Sequence, residues 1–114
     1  MNAELDPEIK AIVDAINASD APEYSDLTPP EARAAHNEKA HVLGAPFVEL
    51  AEVYDRSIPS AAADIPVRIY RPVAEDEPQP CLVFYHGGGH VIGSLDSYDT
   101  LCRQLALQSG SMVM

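Results

Sequence analysis

The sequence predicts an α/β fold: two helices, a β-hairpin, and then a strand–loop–helix–strand run. Three observations carry this. Helix start signals and helical spacing dominate the first 44 residues, strand alternation takes over from residue 47, and "CLVFY" (81–85) is a continuous apolar run of strand length. With 114 residues, 46% of them hydrophobic, the chain amounts to one modest domain.

The first helix is read in "LDPEIKAIVDAIN" (5–17). Asp6 is placed to cap it, Pro7 suits its first turn, and Leu5, Ile9, Ile12 and Ile16 form an apolar stripe. That stripe is open to two readings, ordinary packing or contact with an acyl chain. "NASDAPEYSDL" (17–27) has loop composition. In "TPPEARAAHNEKAHVLG" (28–44), Thr28 and Glu31 have capping-box spacing, Pro29 fits the first helical position and Gly44 is a stop. This second helix is alanine-rich and weakly amphipathic, so it needs a surface to lean on. His36 and His41 are expected on its solvated face.

"FVELAEVYDRSI" (47–58) and "IPVRIYRP" (65–72) read as strands, with Ile65, Val67 and Ile69 alternating against Arg68 and Tyr70. "PSAAAD" joins them as an antiparallel hairpin, and "PVAEDEPQP" is a polar surface loop. "CLVFY" is expected to be buried on both faces of the sheet, Cys81 included. "SYDTLCRQLALQSG" (97–110) reads as a helix with Leu101 and Leu105 one turn apart, Cys102 packed inward and Gly110 as its stop; "SMVM" begins another strand.

The formal charge of −11 repels phosphate backbones and anionic lipid, and the few aromatics are not interleaved with Lys or Arg. Nucleic-acid and membrane-surface binding are therefore disfavoured. "MNAELDPEIK" lacks a basic segment followed by an apolar core, and no apolar run reaches membrane-spanning length. Two cysteines, Cys81 and Cys102, make no disulfide framework or metal spacing. A reduced, cytoplasmic chain is expected.

The informative segment is "YHGGGHVIGSLDSYD" (85–99). Consecutive glycines bring backbone N–H groups close to a ligand, and adjacent amides can share one concavity that favours negative charge. Phosphate binding fits poorly, because Gly88 and Gly93 have P-loop spacing but Ser94 stands where lysine belongs, and Ile92 breaks a dinucleotide fingerprint begun at Gly87. A metal pair, His86 and His90, lacks a helix, an intervening Glu and a third ligand. An oxyanion hole for acyl transfer fits the glycines best, since a glycine loop leaving the C-terminal end of a buried strand presents N–H donors beside the sheet edge.

Here the sequence resembles the hormone-sensitive-lipase-like branch of the α/β-hydrolases, the esterases that carry an HGGG motif. "FYHGGGHVIGSLDSYD" follows the family's strand, glycine loop, second glycine (Gly93) and aspartate (Asp99) entering the next helix. "YDRSIP…IPVRIYRP" is similar to its opening hairpin, and "LDPEIKAIVDAI…TPPEARAA" to its N-terminal cap helices. The resemblance implies cap helices over 1–46 and, over 47–114, the start of an α/β-hydrolase core that stops before the nucleophile elbow. It implies that Gly88 and Gly89 supply oxyanion-hole amides, and that His86 braces the loop without serving as a base. Gly87, His90, Gly93 and Asp99 fall on the substrate side: Gly87 and Gly93 for loop geometry, His90 at the acyl-pocket wall, where the family has a bulky aromatic, and Asp99 as a loop anchor.

The reaction it implies is carboxylic ester hydrolysis on short to medium acyl chains, with no cofactor and no metal, and a homodimer of the complete enzyme is compatible with it. Such enzymes use a serine on a G-x-S-x-G elbow, then an acid, then a histidine. No such elbow is present; Ser94 and Ser111 follow glycines in the wrong context, and His36, His41, His86 and His90 all precede any candidate nucleophile. The chain is thus expected to be the inactive N-terminal part of a longer esterase. The alternatives are a non-catalytic ligand-binding protein on the same fold and a truncated product without activity.

Overall fold

The computed structural model describes residues 5–74 and 78–114, with the backbone only at His41 and Leu43. The acidic stretch at 75–77 and the expected exposure of His41 lie outside what is described. Helix α1 spans Pro7–Asn17, and its N-cap Asp6 accepts from the Glu8 N–H at 2.9 Å, as the sequence predicts. Its apolar stripe is open among the described residues: Leu5, Ile9, Ile12 and Ile16 are all exposed. A single 3-10 turn, Tyr24–Asp26, interrupts the expected loop.

Helix α2 covers Pro29–Leu43. Thr28 donates both its backbone N–H and its hydroxyl to the Glu31 carboxylate, which holds that carboxyl below its ordinary pKa. Gly44 ends the helix, though in an extended conformation (φ −68°, ψ 165°) and not in the left-handed one usual for a glycine stop. It is glycine for want of space, because a Cβ there would lie 2.7 Å from the Ala40 carbonyl oxygen and 2.9 Å from the Thr100 hydroxyl.

Strands β1 (Glu52–Ile58) and β2 (Ile65–Arg71) form the expected antiparallel hairpin, in register from Glu52 opposite Arg71 to Ile58 opposite Ile65. Residues 47–51, read as strand from composition, precede its pairing. Strand β3 (Cys81–Leu82) leads through the glycine loop to helix α3 (Asp99–Ser109), and β4 (Met112–Val113) follows. The sheet order is β1-β2-β4-β3, with β4 antiparallel to β2 and parallel to β3. Backbone bonds from Met112 N–H to Pro80 O, Met114 N–H to Leu82 O and Phe84 N–H to Met114 O extend the β3–β4 ladder on both sides.

The core is small. Tyr70, Cys102, Ala106 and Val113 are buried, with Leu50, Val53, Phe84, Tyr98 and Leu105 partly buried around them. Cys102 and Ala106, one turn apart, form the face that α3 lays on β2 and β4. Leu101 is 40% exposed, off that face. Gly110 closes α3 at φ 64°, its N–H bonded to Ala106 O at 3.0 Å, in the predicted left-handed stop. The expectation of a "CLVFY" strand buried on both faces is corrected. β3 is an edge strand, paired with β4 on one side, and Cys81, Leu82, Val83 and Tyr85 are all exposed. Among the described residues, that side of the apolar run is left open to solvent.

Candidate active site

The glycine loop leaves the C-terminal end of β3, where the parallel β3–β4 pair opens, the position at which α/β sheets hold their ligands. Residues 86–93 and Arg33 of α2 line an open cleft there of about 440 Å³. Gly88, Gly89 and Gly93 take positive φ values of 133°, 60° and 99°. At Gly88 a side chain is excluded outright, since a Cβ would lie 2.0 Å from the Ile92 carbonyl oxygen. Gly88 O accepts from both Val91 and Ile92 N–H at 3.0 Å, closing the turn. Among the described residues, no group accepts from the Gly88 or Gly89 N–H, so two backbone donors stand free at the cleft. His90 adopts φ 60° without being glycine, a conformation that costs roughly 1–2 kcal/mol.

His86 lies against the loop it opens. Its Nδ1 is 2.7 Å from Gly87 O; a carbonyl can only accept, so Nδ1 carries the proton in this contact. Its ring stacks on Tyr98 at 5.1 Å and 18°, and an alanine Cβ at 93 would lie 2.6 Å from Nδ1. Gly87 itself is under no steric or positive-φ demand. Asp99, expected as a loop anchor on the substrate side, is placed below the loop in an ion network. Its Oδ1 accepts from Tyr70 Oη (3.1 Å) and Arg68 Nη1 (3.2 Å), and its Oδ2 from Arg103 Nε (2.7 Å). Arg68 also grips Asp55 in a fork at 2.7 and 3.1 Å and reaches Asp96 at 2.9 Å. Arg68 holds the Asp55 carboxyl below its ordinary range, while burial pushes Tyr70 up and Cys102 up to about 11, the Asp99 charge adding to both.

Helix α2 finds the surface it needed on the 86–98 segment. Ala32 is buried, Arg33 Nε donates to Val91 O at 2.8 Å, and Ser94 Oγ donates to Asn37 Oδ1 at 3.0 Å. His36, expected on a solvated face, is half-buried instead, within 3.5 Å of Tyr24 Oη and with its ring 6.4 Å from that of Tyr98. Sequence reasoning missed Arg33 and Asn37, because no local spacing marks a residue whose partner lies 58 or 57 positions away, and it missed Tyr98, whose ring meets His86 and His36 from outside any motif. Among the described residues, no cluster of three or more His, Cys, Asp or Glu could hold a metal ion.

Residues 82–114 match the model of a family described as having the alpha/beta hydrolase fold. The carboxylic ester hydrolase LipN of Mycobacterium tuberculosis is 54% identical over 52 residues, which is 46% of this chain and 14% of that protein. The ethyl acetate hydrolase of Pseudomonas putida is 51% identical over 53 residues, 44% of this chain and 16% of that protein. Among solved structures, an ester hydrolase from the metagenome of Lake Arreo, in complex with a bipyridine phosphonate derivative, superposes with a TM-score of 0.89 at 33% identity. It matches 96% of this chain and 36% of its own. A hyperthermophilic esterase from Pyrobaculum calidifontis gives 0.83 at 31% identity, over 97% of this chain and 35% of its own. The chain thus spans about a third of these structures and a sixth or less of the two curated relatives. Its fold is that of part of an α/β hydrolase, and the expected resemblance to ester hydrolases of that fold is borne out.

Proposed function

We propose that this chain, an N-terminal part of the α/β-hydrolase fold, forms the cap and oxyanion-hole side of a serine carboxylic ester hydrolase. The observation that carries the reading is the pair of free N–H groups, Gly88 and Gly89, on the cleft beyond β3. When a serine attacks an ester carbonyl, the oxygen becomes an oxyanion. Two fixed backbone donors lower that barrier by about 3–4 kcal/mol each, at no reorganisation cost. His86, stacked on Tyr98, braces the loop and takes no proton from the nucleophile. Residues 1–46 serve as the cap and 47–114 open the catalytic core, while the serine and its acid–base partners come from further polypeptide.

The substrates are short to medium acyl esters, in keeping with relatives named as ester and ethyl acetate hydrolases. The reaction calls for no cofactor. No described helix is long and apolar enough to cross a membrane, and we place the enzyme in the cytoplasm. The test is hydrolysis of p-nitrophenyl butyrate by the protein from the complete reading frame. Turnover abolished by a serine-directed phosphonate supports the proposal. Phosphonate-sensitive turnover by the 114 residues alone would overturn the division of the site, and a complete protein that binds esters without cleaving them would make it a receptor.

A further inference from the structure

We propose that Arg33 is a positioning residue that holds and polarises the Gly89 donor through two relayed peptide groups; this rests on the oxyanion-hole reading above. The chain carries 18 acidic side chains against 7 basic ones, yet no carboxylate lies within ion-pair distance of Arg33 among the described residues. Its Nε–H donates instead to Val91 O at 2.8 Å, across 58 residues. Val91 C=O and Ile92 N–H belong to one planar peptide, and that N–H donates to Gly88 O at 3.0 Å. Gly88 C=O in turn shares its peptide with the free Gly89 N–H. The guanidinium charge, two trans peptides and the open donor therefore run head to tail, an arrangement in which each hydrogen bond strengthens the next.

The same contact fixes the turn mechanically. Ser94 Oγ bonds Asn37 one helical turn along α2, so the helix holds the segment at Val91 and again at Ser94. A cap helix that shifts would move the oxyanion donors with it.

The test uses the complete protein and the variants R33A, R33Q and R33K. The expected result is a kcat about tenfold lower for R33A with KM within twofold. R33Q, able to donate without charge, should recover part of the loss and R33K more. An unchanged kcat in R33A, or a loss carried by KM, overturns the proposal. A second measurement is independent of activity. In ¹⁵N-labelled folded protein, R33Q should shift the amide protons of both Ile92 and Gly89 upfield, and if neither moves the relay is wrong. Wild-type protein that hydrolyses no ester defeats the oxyanion-hole reading alone, because the amide shifts still report on the relay.

Discussion

Gly93 is the residue whose replacement reports most directly on the loop. It sits at φ 99° beneath the His86 ring, so Gly93→Ala meets both backbone strain and a contact of 2.6 Å. The expected cost is about 1–3 kcal/mol of stability, with loss of the His86–Tyr98 stack and at least a tenfold fall in ester turnover by the complete enzyme. Wild-type kinetics in Gly93→Ala would remove His86 from any bracing role. The two thiols make a second pair of opposites. In the 114 residues alone Cys81 is exposed and should react with a disulfide reagent at pH 8 within minutes, whereas Cys102 is buried and should react more slowly, and in the complete protein only on unfolding. Burial raises the folded-state value of Cys102 to about 11, so its thiol opposes unfolding fully below the ordinary value near 9.0. That contribution fades as pH climbs from 9 to 11, and Cys102→Ala should flatten this alkaline loss in a urea titration of the complete protein.

At the scale of elements, the hairpin and α3 are joined by polar bonds as much as by packing. Asp99, at the first position of α3, takes hydrogen bonds from β2 (Arg68, Tyr70) and from its own helix (Arg103). Removing it in Asp99→Ala leaves two half-buried guanidiniums short of charge, and we expect the complete protein to lose about 1–3 kcal/mol of unfolding free energy in urea. A shift under about 0.3 kcal/mol would mean water replaces the carboxylate without penalty. Asp55 predicts the acid side. Arg68 lowers its folded-state value, so its support is present at neutral pH and disappears as pH falls through that value, below about 4. Asp55→Asn should blunt the acid limb slightly, the pair being largely exposed on the Asp55 side. Element starts and stops were legible because they are local chemistry: Asp6, Thr28 with Glu31, and Gly110 each act within four residues. Gly44 was located correctly but for another reason, its crowding by Thr100, 56 positions on. Burial was the part that failed, since Cys81 and His36 depend on which layer covers them, and a one-dimensional pattern carries no layer. The glycine loop was legible as chemistry, while its support from Arg33, Asn37 and Tyr98 was not.

The whole molecule is larger than its mass warrants. Its radius of gyration is 17.3 Å, against about 13 Å for a compact domain of this length. Its accessible surface is 8485 Å² for 12.3 kDa, where a folded monomer of that mass exposes about 6,100 Å². The excess, about 2,400 Å², exceeds what a standard protein–protein interface buries. Much of it is apolar: the α1 stripe, Leu82, Val83 and Tyr85 along the open edge of β3, and Leu101 and Leu107 on α3 are all exposed. Against that surface stand, among the described residues, five buried side chains, two of them alanines. The hydrophobic contribution of so small a core falls short of the chain's ordering entropy. We therefore expect the isolated 114 residues to keep helix and strand signals in the far ultraviolet while binding a hydrophobic dye and melting without a cooperative transition. Adding the separately expressed remainder of the reading frame should suppress dye binding and restore one sharp transition, because the exposed faces of β3 and α3 then gain a second layer. A steep, two-state melt of the 114 residues alone, free of dye binding, would show that the open faces are tolerated and that the fold needs no further chain.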